Sequence, residues 1–143
     1  MKITLKTTAT PYTVRLVVKA VMTILEELIE NDLLYELQLA LTEACNNIVV
    51  HAYDGKEGEL ELRLKVVPLE YIQFEVIDWG KVFNSPSILS SCSLVLPKEE
   101  ATSGRGIFII RKVADKFVYK RVDGKNLIII RKYIQEEKWK VYK

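Results

Sequence analysis

Cysteine and histidine are scarce in this chain, two and one respectively. Cys45 and Cys92 stand far apart among apolar or small residues, without ligand-like spacing, so neither a disulfide framework nor a zinc site is expected. An excess of one charge sign is missing as well. The balance of 21 basic against 19 acidic side chains leaves a formal +2, which gives no reason to expect the strongly basic face that nucleic acid calls for. No apolar run approaches the roughly 18 residues of a membrane span. The opening Met1-Lys2-Ile3-Thr4 lacks the apolar stretch of a signal peptide, and a cytoplasmic location is expected. What is abundant is apolar side chain, 49% of 143 residues, enough for one domain over 1–143 to bury a core without staples.

The periodicity of those apolar residues predicts the elements. Ile3, Leu5 and Thr7 alternate with polar neighbours as an opening strand. Thr10-Pro11 starts a helix whose apolar positions run through residues 12–30, and Asn31-Asp32 is expected to break it and cap the next. A second helix is expected from about Leu33 to Tyr53. Leu60, Leu62 and Leu64 form a half-buried strand, and Tyr71 to Ile77 a second one paired to it as an antiparallel hairpin. Residues 81–103 show no periodicity, and so long a loop reads as a functional lid or a disordered stretch. Ile107 to Ala114 reads as a third helix. Lys116 to Val122 and Leu127 to Ile134, joined by Asp123-Gly124, read as a closing hairpin. Nothing says what the tail from Glu136, with Trp139 and Tyr142, packs on. The implied fold is α+β, a two-layer sandwich with helices on one face of a mixed, mostly antiparallel sheet.

Three polar motifs interrupt this apolar scaffold. On the second helix, Glu43, Asn47 and His51 recur every fourth residue and drift only about 40° per step, so they share one stripe opposite Leu41, Cys45, Ile48 and Ala52. An ordinary solvated helix face has the same pattern. As a site, the Asn47 amide oxygen suits a magnesium ion that keeps its waters and phosphates. Glu43 could accept a proton from an attacking hydroxyl, and His51 could reach phosphate. The second motif is Asp78-Trp79-Gly80 at a strand end. It is either a plain turn or a carboxylate acceptor for the amino group of adenine, with Gly80 allowing backbone to approach the ring. The third, Ser103-Gly104-Arg105-Gly106, opens a helix whose free N–H groups suit an anion, with Arg105 as an added charge. It is not a P-loop, lacking Gly-Lys-Ser/Thr.

In this order, the three motifs resemble the GHKL ATP-binding superfamily, and within it the small bacterial anti-sigma factor serine kinases of the sporulation and stress-response type. The resemblance spans roughly residues 3 to 134. Glu43 to Tyr53 looks like the N-box, Val76 to Gly80 like the first glycine box, and Ser103 to Gly106 like the second. The resemblance implies a histidine-kinase-type ATPase fold, with ATP and Mg2+ as ligands. Asn47 would hold the metal and Glu43 would be the catalytic base. Asp78 would bind the adenine amino group and Gly80 would line its pocket. Gly104 and Gly106 would shape a lid hinge over the phosphates. This chain departs from the pattern at Trp79, Val82 and Thr102. The implied partners are a sigma factor, a STAS-type anti-sigma antagonist and a second copy of the chain as a homodimer.

The expectation is therefore an anti-sigma factor with protein serine/threonine kinase activity, acting by partner switching. Two alternatives stay open: a non-catalytic ATP-binding switch module, and an activator-type switch kinase that binds no sigma factor. The catalytic domain of a two-component histidine kinase fits less well, because no helix pair with a phosphoacceptor histidine precedes these motifs.

Overall fold

A computed structural model describes residues 1–82 and 102–143, apart from the side chains of 102–105. Most of the stretch expected as a lid, residues 83–101 of 81–103, lies outside the described residues.

The elements follow the apolar periodicity. Strand β1 (Lys2–Thr8) leads into helix α1 (Pro11–Glu26) and then α2 (Leu34–Asn47). The hairpin of β2 (Glu59–Val67) and β3 (Tyr71–Asp78) follows. Helix α3 (Thr102–Val113) precedes the closing hairpin of β4 (Lys116–Val122) and β5 (Lys125–Tyr133). The five strands lie in the order β1-β2-β3-β5-β4. The sequence allowed for a mixed sheet, but every pairing among the described residues is antiparallel. The inner face carries Leu60, Leu62, Leu64 and Val66 of β2, Ile72, Phe74 and Val76 of β3, and Ile128 and Ile130 of β5, all buried with the apolar sides of the helices.

Local chemistry sets the boundaries. Thr10 caps α1 in a reciprocal pair with Thr13: its hydroxyl accepts from Thr13 N at 3.1 Å, and the Thr13 hydroxyl accepts from Thr10 N at 3.0 Å. Helix α1 stops at Glu26, four residues earlier than its apolar pattern suggests. The tail accounts for this. Glu30 N donates to Lys138 O at 2.9 Å and Lys140 N to Leu28 O at 2.8 Å, with Ile29 bridged to Trp139. Trp139 is wholly buried, its indole N–H donating to Ile134 O at 3.2 Å. Asn31 and Asp32 do not cap α2 as expected. They lie in a 3₁₀ turn, Asn31–Leu33, and α2 has no side-chain cap. Helix α3 begins five residues before the expected Ile107, so Gly104 and Gly106 fall inside it despite their poor helix propensity. Packing outweighs propensity here, for Ile107, Ile110 and Val113 are buried in the core.

Candidate functional site

The end of α2 winds differently from the regular helix that the sequence suggests. After Asn47 the chain passes into a π-helical turn, Ile48–Ala52. Such underwound turns are rare and recur at functional sites. This one presents the Ala52 carbonyl and the Tyr53 hydroxyl sideways to the segment that follows β3. Lys81 N donates to Ala52 O at 2.8 Å, and Trp79 N donates to the Tyr53 hydroxyl at 2.9 Å. That hydroxyl donates in turn to Glu59 O at 2.6 Å. Gly80 lies so close to Ala52 that a Cβ on it would overlap the Ala52 carbonyl. The first two motifs, distant in sequence, are thus clamped together by backbone bonds.

Asp78 closes β3 and is 4% exposed. Its Oδ1 accepts from Gly80 N at 2.9 Å and from Asn126 Nδ2 at 2.8 Å. No group among the described residues donates to Oδ2. Burial pushes the carboxyl above its ordinary value; the bonds from Asn126 and Gly80 and the nearby Arg121 guanidinium pull it down more weakly.

The partner across the ladder is a residue that sequence reasoning missed. The Asp123-Gly124 turn has both residues at positive φ, 50° and 77°, which fixes the β4–β5 register. That register pairs Asn126 with Arg121, and the separate register between β3 and β5 pairs it with Asp78. Asn126 is 3% exposed, and its amide oxygen accepts from the Tyr119 hydroxyl at 2.9 Å and from Arg121 Nη1 at 3.0 Å. A signal for it existed: Asn126 is a polar side chain in phase with the buried Ile128 and Ile130.

Asn47, on α2, is 6% exposed, and its Nδ2 has no hydrogen-bond partner among the described residues. A buried donor of this kind costs about 1–3 kcal/mol if nothing satisfies it, so it calls for an acceptor, a water or a ligand oxygen. Asn47 and Asp78 line one cavity, with Lys81, Tyr119 and Asn126. The cavity volume is about 20 Å³, room for a water rather than a purine.

One turn before Asn47, half-buried Glu43 meets α3. A Cβ on Gly106 would come within 2.7 Å of Glu43 Oε2, so this glycine lets the second glycine motif close onto the carboxylate. His51 is half-buried; burial, and then the Lys81 ammonium, hold its imidazole below the ordinary value. Neither His51 nor Gly80 lines the cavity; Gly80 instead packs behind it on Ala52. The backbone of Ser103, Gly104 and Arg105 lies in the first turn of α3. Their side chains lie outside the described residues, so the expected Arg105 charge is not located. No cluster of three or more His, Cys, Asp or Glu side chains lies together among the described residues.

A family model for the histidine kinase-like ATPase domain matches residues 7–132. The chain belongs to the histidine kinase-like ATPase family. Proteins similar to this ATPase-family chain include an anti-sigma factor and serine-protein kinases. The anti-sigma F factor of Caldanaerobacter subterraneus subsp. tengcongensis is 28% identical over 100 residues, 69% of either chain. The serine-protein kinase RsbW of Bacillus mycoides is 28% identical over 110 residues, covering 74% of this chain and 68% of that one. The RsbW of Oceanobacillus iheyensis is 29% identical over 107 residues, covering 71% and 66%. The fold and GHKL-type relationship implied by the three motifs are therefore those of the chain. No helix among the described residues is long and apolar enough to cross a membrane.

Proposed function

We propose that this chain is an ATP- and Mg2+-dependent protein serine/threonine kinase that phosphorylates a STAS-type anti-sigma antagonist and controls a sigma factor by partner switching. The observation that carries the reading is the shared cavity of Asn47 and Asp78, which arrive from different layers of the fold. Asp78, with Oδ1 committed, offers Oδ2 to the 6-amino group of adenine. The Asn47 amide oxygen suits a metal that takes a single protein oxygen together with waters and phosphates, while its unpartnered Nδ2 is a donor left for a phosphate or water oxygen. Bound there, Mg2+ supplies charge neutralisation on the phosphates. The free N–H groups in the first turn of α3 favour the phosphates by hydrogen bonding and by the helix dipole. Glu43, held beside Gly106, accepts the proton of the attacking serine hydroxyl. A cytoplasmic homodimer built from this single domain, and the sigma-factor and antagonist partners, belong to the same proposal. It draws them from the family resemblance and the names of the relatives.

The experiment is transfer of label from γ-labelled ATP to a cognate STAS-domain protein, alongside ATP binding by calorimetry. Glu43→Gln is expected to keep ATP binding and to lower transfer by about 10²–10⁴-fold. Asp78→Asn is expected to weaken binding itself by about 10–100-fold. Equal loss of binding in both contradicts these roles. A second reading, an ATP-binding switch module without transfer, is favoured by Trp79 and Val82, whose exposed side chains stand where the resemblance departs from its glycine pattern. A tight complex with the STAS protein and no labelled product selects it.

A further inference from the structure

Asn126 uses every hydrogen-bonding direction that a carboxamide has. Its Nδ2 donates to Asp78 Oδ1 at 2.8 Å and to Lys81 O at 2.9 Å, with a longer approach to Gly80 O at 3.4 Å. Its Oδ1 takes the Tyr119 hydroxyl and the Arg121 guanidinium. The neighbours leave no choice of orientation. A guanidinium only donates and backbone carbonyls only accept, so rotating the amide by half a turn would set donor against donor and acceptor against acceptor. Arg121 reinforces the hub by donating also to Gly80 O at 2.8 Å. Two elements therefore converge on one oxygen of Asp78, β5 through Asn126 and its own chain through Gly80 N. The other oxygen belongs to a residue that lines the cavity.

We infer that Asn126 is the positioning residue that makes Asp78 selective for a base carrying an exocyclic amine, because it occupies Oδ1 and leaves Oδ2 as the single, acceptor-only contact for the base. The inference rests on the nucleotide reading above and deepens it. An amine at purine C6 donates to that oxygen, whereas an oxo group at C6 presents a second acceptor to it. A site built around one buried hydrogen bond rejects the ligand that cannot make it far more strongly than an apolar pocket rejects a misfit. Without the Asn126 amide, the carboxylate is free to turn. It also loses one of the groups that favour its charged form, and a protonated oxygen can donate to an oxo group.

The test is calorimetric binding of ATP and of inosine triphosphate to the whole chain; the two nucleotides differ in the base at C6, amine against oxo, and at the adjoining N1, bare acceptor against N–H. The wild type is expected to prefer ATP by about 10–100-fold. Asn126→Ala is expected to bring the two within about threefold of each other, mainly by weakening ATP. Asn126→Asp keeps the volume but sets a second carboxyl against Asp78. The two then share a proton, one oxygen becomes a donor, and the preference collapses in the same way. Should Asn126→Ala fail to unfold cooperatively, the near-isosteric Asn126→Asp decides. A merely structural role would weaken both nucleotides equally and leave their ratio unchanged, and that result overturns the inference. So does a wild type that binds both nucleotides alike. A wild type that binds neither takes down the nucleotide reading itself, an outcome visible before any variant is made.

Discussion

Gly80 rests on the carbonyl of Ala52 with no room for a Cβ between them. The contact joins the loop after β3 to the π-helical end of α2, and the Lys81 N–H donated to the same carbonyl locks it. Asp78 depends on it too, because one of its two hydrogen bonds comes from Gly80 N. Glycine here is a requirement of packing against backbone, which cannot give way as a side-chain end can.

Gly80→Ala is therefore expected to destabilise the fold by about 1–3 kcal/mol, the usual range for overpacking a close contact. It should also weaken nucleotide binding by more than the lost stability explains, since the Asp78 carboxylate loses its seat. Urea unfolding and calorimetry on the same preparation measure both. An unchanged midpoint would contradict the contact.

His51 gives the fold a dependence on pH whose sign is set by its surroundings. Burial and the Lys81 ammonium hold its folded pKa below the ordinary 6.5. The unfolded chain thus binds a proton that the folded chain refuses, and stability is lost as the pH falls from 6.5 toward the lower folded value. His51→Gln should flatten the loss of urea midpoint between about pH 7.5 and about pH 5.5. Equal slopes in variant and wild type would remove His51 as the cause.

Trp139 fastens the tail over the α1–α2 connection, and Lys138 adds a 2.8 Å ion pair with Asp32. Trp139→Ala is expected to cost about 3–5 kcal/mol, as for a large aromatic removed from a core. The exposed ion pair should contribute far less, about 0–1 kcal/mol. Equilibrium unfolding of Trp139→Ala and Asp32→Ala separates the two, and a larger loss in the second would reverse the account.

What was legible in the sequence was whatever depends on near neighbours. Leucines alternating through β2 and the Asp123-Gly124 turn announce themselves locally, because a half-buried strand and a two-residue hairpin have fixed residue requirements. The pairing of Ile29 with Trp139 does not, since an apolar helical pattern carries no mark of the tail that overrides it. The π turn at Ile48–Ala52 is hidden for the same reason: the packing of Gly80 and the bond from Lys81 meet it from elsewhere in the fold. In the site, Asn47 and Asp78 stood out as polar residues in recognisable motifs. Asn126 did not, because its place beside Asp78 follows from register between β3 and β5, which no single stretch of sequence contains.

The central claim is that Asn47 and Asp78 take opposite ends of one nucleotide. The most direct measurement is a crystal structure of the chain with Mg2+ and a non-hydrolysable ATP analogue. The expected result is the Asn47 amide oxygen on the metal at about 2.1 Å, with Asp78 Oδ2 accepting from the 6-amino group of the adenine at about 2.9 Å. A nucleotide bound away from this cavity, or one within it that leaves either side chain without that contact, would contradict the account.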